Sequence, residues 1–564
     1  MKKIIISAGL FLLPLANIQA QFTDINIVKE VKVINKGVVA SAHPLASEAG
    51  AQMLSAGGNA FDASIATQFA LAVVYPQAGN IGGGGFMIAT TSGGKRISLD
   101  YRETAPAKAF ANMYLDKKGN ALPELSQNGH LAVGIPGAVA GMFAMHKYAK
   151  LPMAKLIQPA IDLAEQGFAI TPDEAQLLNE HKSDFIKYSS GPSAFVKNTD
   201  WKTGDILRQP ELAETLRRIQ QSGEKGFYEG KTAELIVAEM KKGKGIITAA
   251  DLKNYKVQER TPLSFPYKGH EIVTMPLPSS GGILLAQMFG MTSLIGLDGK
   301  EVNSPEAVQL MVEAERRAYA DRAEYLGDPS FVADKTEMLT NADYIRRRFA
   351  DYNPKAATPS SAVGKIIPAK ESEQTTHISV LDKEGNAVSA TTTLNGLYGS
   401  RTVVAGAGFL LNNEMDDFSI KPGVPNMYGA VGNEANAIQP GKRMLSSMSP
   451  TVVLKNNKPA IVVGTPGGTT IPTSVFQSIV NVIDFKKNAN EAVNLPKFHH
   501  QWLPEVVSVE EGFPQHTIRE LEKMNYKIQK REKIGRVEMI VVEDSGFIHA
   551  VGDGRGDDSV AWEK

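Results

Sequence analysis

Two runs rich in β-branched residues, Thr376-His377-Ile378-Ser379-Val380-Leu381 and Ala387-Val388-Ser389-Ala390-Thr391-Thr392, flank Asp382-Lys383-Glu384-Gly385-Asn386. A glycine-containing turn of this length between two such runs predicts a β-hairpin. Folded symmetrically about Glu384, it sets Val380 opposite Val388, Ile378 opposite Ala390 and Thr375 opposite Thr393, so two hydroxyls meet at its open end. A threonine hydroxyl attacks a carbonyl only when a base takes its proton and a neighbour orients it. An N-terminal threonine carries such a base in its own α-amine, whose ordinary pKa of about 7.7–8.0 lies close to neutrality. Thr375 becomes N-terminal only if the Gln374–Thr375 bond is cut. Its hydroxyl could make that cut by attacking the Gln374 carbonyl, giving an ester that water hydrolyses. A threonine-rich sheet surface shows the same pattern, so the hairpin alone leaves both readings open.

The elements that must hold this hairpin are partly legible. Residues 40–74 are rich in Ala with apolar residues at helical spacing, and they lead into the glycine run 82–85. Phe86-Met87-Ile88-Ala89 and Ile97-Ser98-Leu99-Asp100-Tyr101 read as strands around Ser92-Gly93-Gly94, ending near Arg102. Residues 136–350 are mostly helical in pattern. The clearest helix takes Ser304 as N-cap and Pro305 as first residue, and should stop near Gly327-Asp328-Pro329. Between 351 and 374 the periodicity gives way to Pro354, Pro359-Ser360-Ser361, Gly364 and Pro368, which predicts an exposed, mobile linker. Beyond Gln374 the sequence becomes strand-rich with Gly and Asn turns. No repeat period is visible.

Composition excludes several classes. The 564 residues are 43% hydrophobic and 21% charged, with 60 basic against 60 acidic residues and no block of one sign, which disfavours nucleic acid as a partner. There is no cysteine, hence no disulfide, thiolate metal site or cysteine nucleophile. Lys2 and Lys3 precede an apolar run over 4–15 and a short stretch ending at Ala20, the pattern of a signal peptide over 1–20. The run is shorter than the roughly 20 residues of a membrane-spanning helix, so no span is expected after cleavage. A retained N-terminal anchor is the alternative, and both take the chain out of the cytoplasm. The run 82–85 lacks the Gly-Lys-Ser/Thr of a phosphate-binding loop. His499-His500 lacks a third ligand at metal spacing. Arg555-Gly556-Asp557 is too short to argue for adhesion.

Gln374-Thr375-Thr376-His377-Ile378-Ser379, Leu411-Asn412-Asn413-Glu414-Met415-Asp416-Asp417-Phe418, Leu445-Ser446-Ser447-Met448-Ser449-Pro450 and Gly464-Thr465-Pro466-Gly467-Gly468 together resemble the γ-glutamyltranspeptidases. So do Leu99-Asp100-Tyr101-Arg102-Glu103-Thr104-Ala105-Pro106, Pro278-Ser279-Ser280-Gly281-Gly282 and Phe498-His499-His500-Gln501-Trp502-Leu503-Pro504, which spreads the likeness over nearly the whole chain. The resemblance implies an α+β fold, the four-layer αββα sandwich of N-terminal nucleophile hydrolases. It implies a precursor cut at Gln374–Thr375 into a heavy subunit, 21–374, and a light subunit, 375–564, which remain together as a heterodimer.

By resemblance Thr375 is the nucleophile and Thr393 its partner, the pair that the hairpin symmetry also gives. Pro466-Gly467-Gly468 offers backbone N–H groups that no side chain shields, suited to an acyl oxyanion. Glu414 and Asp417, with Asn395, would hold the substrate's α-amino group. Arg102, helped by Ser446 and Ser447, could take its α-carboxylate. Tyr428, in the Pro/Gly-rich loop 421–429, resembles a lid closing over the site. The implied substrates are glutathione and other γ-glutamyl compounds, with water, amino acids or dipeptides as acceptors. No cofactor is implied, and the expected location is periplasmic or secreted. Two rivals stand beside this reading: an acylase of the same architecture taking a glutaryl group, and an exported binding protein that keeps the fold without the chemistry.

Overall fold

The computed structural model describes residues 26–364 and 375–564. Most of it is organised by two seven-stranded sheets, antiparallel throughout. One runs, in spatial order, Glu30–Val33, Ile548–Val551, Glu538–Val542, Lys458–Gly464, Thr451–Lys455, His270–Thr274 and Leu263–Tyr267. The other runs Ser559–Trp562, Val38–Ser41, Thr376–Leu381, Ala387–Thr393, Gly84–Thr90, Arg96–Asp100 and Gln258–Arg260. Strands from both ends of the sequence therefore enclose the hairpin Thr376–Leu381/Ala387–Thr393, which lies centrally in its sheet.

The hairpin pairs Val380 with Val388, Ile378 with Ala390 and Thr376 with Thr392, the register expected from symmetry about Glu384. Continued one step beyond the strand, this register would set Thr375 opposite Thr393, and both residues line one cavity. The threonine-rich surface reading fails for a specific reason: every residue of both strands is buried. Alternation remains, but between an apolar face and a dry polar one. Ile378, Val380, Val388 and Ala390 join the core under the helices Pro44–Ser55 and Ala60–Val74. His377, Ser379, Ser389 and Thr391 face the opposite sheet, where Ser379 Oγ donates to Glu538 O at 3.0 Å and Ser389 Oγ to Val463 O at 3.0 Å. Against the other sheet pack Gly281–Ile295, Pro305–Tyr325 and Ile471–Ile483, closing a second core.

The glycine run follows from close approach. Gly84 and Gly85 pair with Thr393 and Thr392, and a Cβ on Gly83 would lie 2.0 Å from the Thr393 carbonyl oxygen. Only a strand without side chains lies this tightly along the hairpin's end.

Several expectations need adjustment. The N-cap at Ser304 is present, its Oγ accepting from Ala307 N, and the helix spans Pro305–Tyr325; six of its eight charged residues are buried, including Glu313, Arg316, Arg317 and Arg322, and only Glu306 and Glu324 are exposed. Up to residue 364 the expected exposed linker is exposed at Asp351, Asn353, Pro354, Lys355, Pro359, Ser361 and Ala362, but it is anchored at Ser360 and Val363. Ser360 is fully buried, its Oγ donates to Trp502 O at 2.6 Å, its N–H donates to Glu505, and its carbonyl accepts from Trp502 Nε1. Proline and glycine punctuate this stretch without loosening it, because Trp502 and Arg316 supply partners on both sides. The strand-rich C-terminal half also holds a 13-residue helix, Ile471–Ile483, that its β-branched composition conceals. Residues 1–25 and 365–374, hence the expected signal peptide and Gln374, lie outside the described residues.

Candidate active site

Thr375 stands at the mouth of the hairpin, 5% exposed, and borders two cavities. Thr393, on the same face two strand positions beyond Thr391, accepts at Oγ1 from Asn395 N at 2.8 Å. Asn395 follows in the left-handed region, φ 73°, a conformation asparagine tolerates better than most residues. Its carbonyl receives the Tyr428 hydroxyl and its Nδ2 donates to Asn413 O at 3.1 Å.

The smaller cavity, about 30 Å³, is lined by Arg102, Thr375, Thr393, Asn395, Glu414, Asp417, Tyr428, Ser446, Ser447 and Gly468. Of the residues expected at a site, only Gly467 lies on the other side, in the wider cavity of about 350 Å³. Gln374, with the bond before Thr375, falls outside the described residues.

Each side chain reaches the small cavity by a traceable route. Arg102 follows directly on Arg96–Asp100, its N–H held by Asp100 Oδ1 at 3.0 Å. Glu414 and Asp417 share a single 3₁₀ turn, which turns both carboxylates toward Arg102. Arg102 Nη1 donates to Glu414 and Nη2 to Asp417. Ser446 is braced by the Pro278-Ser279-Ser280 segment: its N–H donates to Pro278 O at 2.9 Å, and its carbonyl accepts from Ser280 N and Oγ. Gly467 and Gly468 form the strand-to-helix turn between Lys458–Gly464 and Ile471–Ile483. Both adopt positive φ, 138° and 54°, and neither N–H donates to another described residue. Two N–H groups with no partner, at the positive end of a helix, form a place for an anion. A Cβ on Gly468 would sit 2.6 Å from the Tyr428 ring, so this glycine lets the ring close.

Burial dominates the electrostatics. It pushes Glu414 well above the usual carboxylate range and Asp417 upward, with the Arg102 charge pulling both back. Behind Arg102, burial raises Glu103 to about 8 against the same pull; neither of its side-chain oxygens has a hydrogen-bond partner. Burial alone would lower Arg102, but Glu414, Asp417 and Glu103 reverse the sign and raise it. Asp417 Oδ1 accepts from Asn426 Nδ2 at 2.9 Å, whereas Glu414 Oε2 has no partner. His377, the histidine nearest Thr375 in sequence, is fully buried and pushed down to about 3 by burial.

Sequence reasoning missed Arg322, Asn426 and Thr469, which also line the small cavity. Asn426 belongs to the loop that carries Tyr428, and Thr469 follows the paired glycines, so proximity in sequence was the available signal for both. Arg322 sits among charges that read as a solvated helix face. The paired histidines are packing residues: His499 bonds Thr473 and Gln501, while His500 Nδ1 accepts from Trp502 N. Arg555 is tied to Glu510 and Asp553.

The family model for γ-glutamyltranspeptidase matches residues 46–562. The chain is 45% identical over 530 residues to the glutathione hydrolase proenzyme of Escherichia coli K12, covering 93% of this chain and 91% of that protein. It is 34% identical over 545 residues to the acylase ACY 1 proenzyme of Pseudomonas sp. V22, covering 95% of each. Among solved structures it resembles a cephalosporin acylase from Bacillus halodurans over the full length of both chains, TM-score 0.84 at 27% identity. It also resembles γ-glutamyltranspeptidase from Helicobacter pylori, TM-score 0.56 at 44% identity, over 60% of this chain and 95% of that one. A threonine hairpin opening on a cavity that joins an arginine, two carboxylates and paired glycines is thus found in a sequence matched from residue 46 to residue 562, and the chain belongs to the γ-glutamyltranspeptidase family.

Proposed function

We propose that the chain is an exported precursor that cuts itself before Thr375 and then transfers the γ-glutamyl group of glutathione and related amides to water, amino acids or dipeptides. The observation that carries this reading is the position of Thr375, which borders at once a small cavity of charged groups and a wide one open to solvent. The first suits a compact zwitterionic acyl group and the second a leaving or incoming amine.

In the first step Thr375 Oγ attacks the Gln374 carbonyl, the peptide C–N bond breaks, and the α-amine of Thr375 is released as an ester forms. Water hydrolyses the ester, leaving a carboxylate at Gln374 and restoring the hydroxyl. The freed α-amine then serves as base, since burial keeps His377 neutral and its ring is bonded to Thr391 and Ser379. In the second reaction Thr375 Oγ attacks the γ-carbonyl, the amine departs toward the wide cavity, and a γ-glutamyl ester remains for water or an acceptor amine. The Gly467 and Gly468 N–H groups stabilise the oxyanion in both directions.

Glu414, Asp417 and Asn395 hold the α-amino group, and Arg102, Ser446 and Ser447 the α-carboxylate. A volume of about 30 Å³ admits one or two waters, not a glutamyl group. Tyr428 must therefore lift and Arg102 loosen its hold on the acids before substrate enters, which is the work of a lid.

The facing sheets, with helices on their outer faces, support assignment to the αββα sandwich of N-terminal nucleophile hydrolases. Coverage supports the subunit division: a Helicobacter pylori chain that is 95% covered spans only 60% of this one, as the larger of two fragments would. Among the described residues no helix is long and apolar enough to cross a membrane, in keeping with an exported heterodimer, periplasmic or secreted.

A denaturing gel tests the reading. Purified protein should run as two fragments divided at Thr375, and Thr375→Ala as one inactive chain. An intact, active wild-type chain would overturn the mechanism, and an intact, inactive one would favour a binding protein. The acylase relatives keep open a second reading, an acylase of the same architecture, for which a glutaryl group is the acyl group to test. Glu414 and Asp417 argue against it, since a glutaryl group brings no cation to two buried acids. Turnover of γ-glutamyl against glutaryl anilides separates the two.

A further inference from the structure

The segment Phe498-His499-His500-Gln501-Trp502 carries part of the family likeness, yet no step derived above uses it. Gln501 is buried, and both polar ends of its side chain are engaged. Its Oε1 accepts from Thr469 Oγ1 and lies 2.9 Å from His499 Nε2, while its Nε2 donates to the Tyr428 carbonyl at 3.5 Å. That amide nitrogen donates to no other described residue.

The surroundings fix which way round the amide lies. A carbonyl faces one end, so that end is the donor, and Oε1 faces Thr469 and His499. Burial pushes His499 down to about 3, so its ring is neutral, and the ring nitrogen that meets Oε1 carries the one hydrogen. Nδ1 is left to accept from Thr473 Oγ1 at 2.8 Å. His499 ends the short strand Phe498–His499 and Thr473 belongs to the helix Ile471–Ile483, so the acceptor side of the amide is fixed on regular structure. Its donor side points at the loop that carries Tyr428.

Thr469 connects this amide to the chemistry. It follows Gly467 and Gly468, its hydroxyl goes to Gln501, and its carbonyl receives the Tyr319 hydroxyl. Tyr428 lies over the same turn, its ring 2.6 Å from where a Cβ on Gly468 would be, and its hydroxyl reaches Asn395 O. One side chain therefore touches both the turn that carries the two glycines and the backbone of the residue that covers it. At 3.5 Å the bond to Tyr428 is long, the length of a catch that releases at small cost.

We propose that Gln501 is a positioning residue that latches the lid, tying the Tyr428 backbone to the Gly467–Gly468 turn through Thr469; this rests on the reading of the small cavity as the glutamyl site. Tyr428 is then caught at its hydroxyl by Asn395 and at its backbone by Gln501, and substrate entry releases both.

Chymotrypsin reads the latch on the mature enzyme, because Tyr428 is 5% exposed and the Tyr428–Gly429 bond is cut only when the lid lifts. Gln501→Met should speed that cut about 2- to 10-fold, the worth of one neutral hydrogen bond, and raise KM for γ-glutamyl-p-nitroanilide by a similar factor. Gln501→Glu keeps the acceptor oxygen. Its protonated carboxyl can still donate to Tyr428 O and its ionised form cannot, so its excess over the wild-type cutting rate should grow with pH. Cutting of Gln501→Met at Tyr428 at the wild-type rate would overturn the proposal, and so would faster cutting spread over the other chymotryptic sites, the mark of a merely structural residue. Saturating glutamate, the hydrolysis product, should slow the cut in wild type; no protection would instead overturn the reading of the cavity. Should Gln501→Met fail to mature, Gln501→Glu decides alone, a pH-independent ratio to wild type counting against the latch.

Discussion

Among the buried clusters of arginine and carboxylate in the described residues, two are finished differently. In the helix Pro305–Tyr325, every oxygen of Glu313 is occupied: Oε1 accepts from Tyr526 Oη at 2.7 Å and Thr358 N at 3.2 Å, and Oε2 from Arg317 Nη1 at 2.6 Å. Arg316 and Arg317 outweigh the desolvation of Glu313 and hold it below the usual carboxylate range. Around Arg102, by contrast, Glu414 Oε2 and both oxygens of Glu103 have no hydrogen-bond partner among the described residues, Glu103 having only the Arg102 charge at 3.7 Å, and burial raises both acids. Burying charge is costly unless its hydrogen-bonding capacity is filled. The first cluster is complete in itself and the second is complete only with something added, which is how a binding site differs from a structural brace made of the same residue types.

Removing one acid from each cluster should break them in opposite ways. Glu313→Gln leaves Arg316 and Arg317 without their shared counter-charge and is expected to cost about 3–5 kcal/mol of stability, read by denaturant unfolding, with kcat/KM of the folded enzyme unchanged. Glu414→Gln keeps an oxygen for Arg102, which Asp417 still pairs, and removes the carboxylate proposed to meet an amine. Its melting temperature should stay near wild type, while KM for a γ-glutamyl anilide rises by the equivalent of about 1.5–3 kcal/mol and that for a glutaryl anilide does not. Equal loss of stability in both variants would erase the distinction between the clusters.

The same contrast explains what the sequence disclosed. Hairpin register was legible because symmetry about Glu384 leaves one pairing, and the Ser304–Pro305 helix start because capping is a local interaction. The residues lining the small cavity were legible through motifs rather than patterning: Arg102, Glu414 and Ser447 come from three distant segments, and nothing in their own neighbourhoods announces a common cavity. Arg322 stayed hidden because charges along a helix look alike whether solvent or protein surrounds them. The hairpin's polar face was ambiguous for a related reason, since alternation does not distinguish water from an opposing sheet that offers carbonyls. The anchor inside the linker was not legible because Pro359 and Gly364 flank Ser360, whose burial depends on Trp502, more than a hundred residues away.

The pH dependence of stability is the most direct measure of the unfinished cluster, because it needs no substrate. Glu103 is raised to about 8 in the folded protein, so between the ordinary glutamate range and that value the folded state binds a proton that the unfolded chain has released. Stability should therefore fall as pH rises through this window, by up to about 1.4 kcal/mol per pH unit. Glu103→Gln removes that proton, and its stability relative to wild type should climb steadily from pH 5 to pH 8. Glu313 has the opposite sign: its folded value is lowered, so its contribution is fully present above the ordinary carboxylate range and is lost only in acid. The gap between wild type and Glu313→Gln should accordingly stay flat over the window in which the Glu103→Gln gap opens. Unfolding curves for the three proteins at several pH values decide the matter, and parallel behaviour of the two variants would mean that Glu103 is as fully compensated as Glu313.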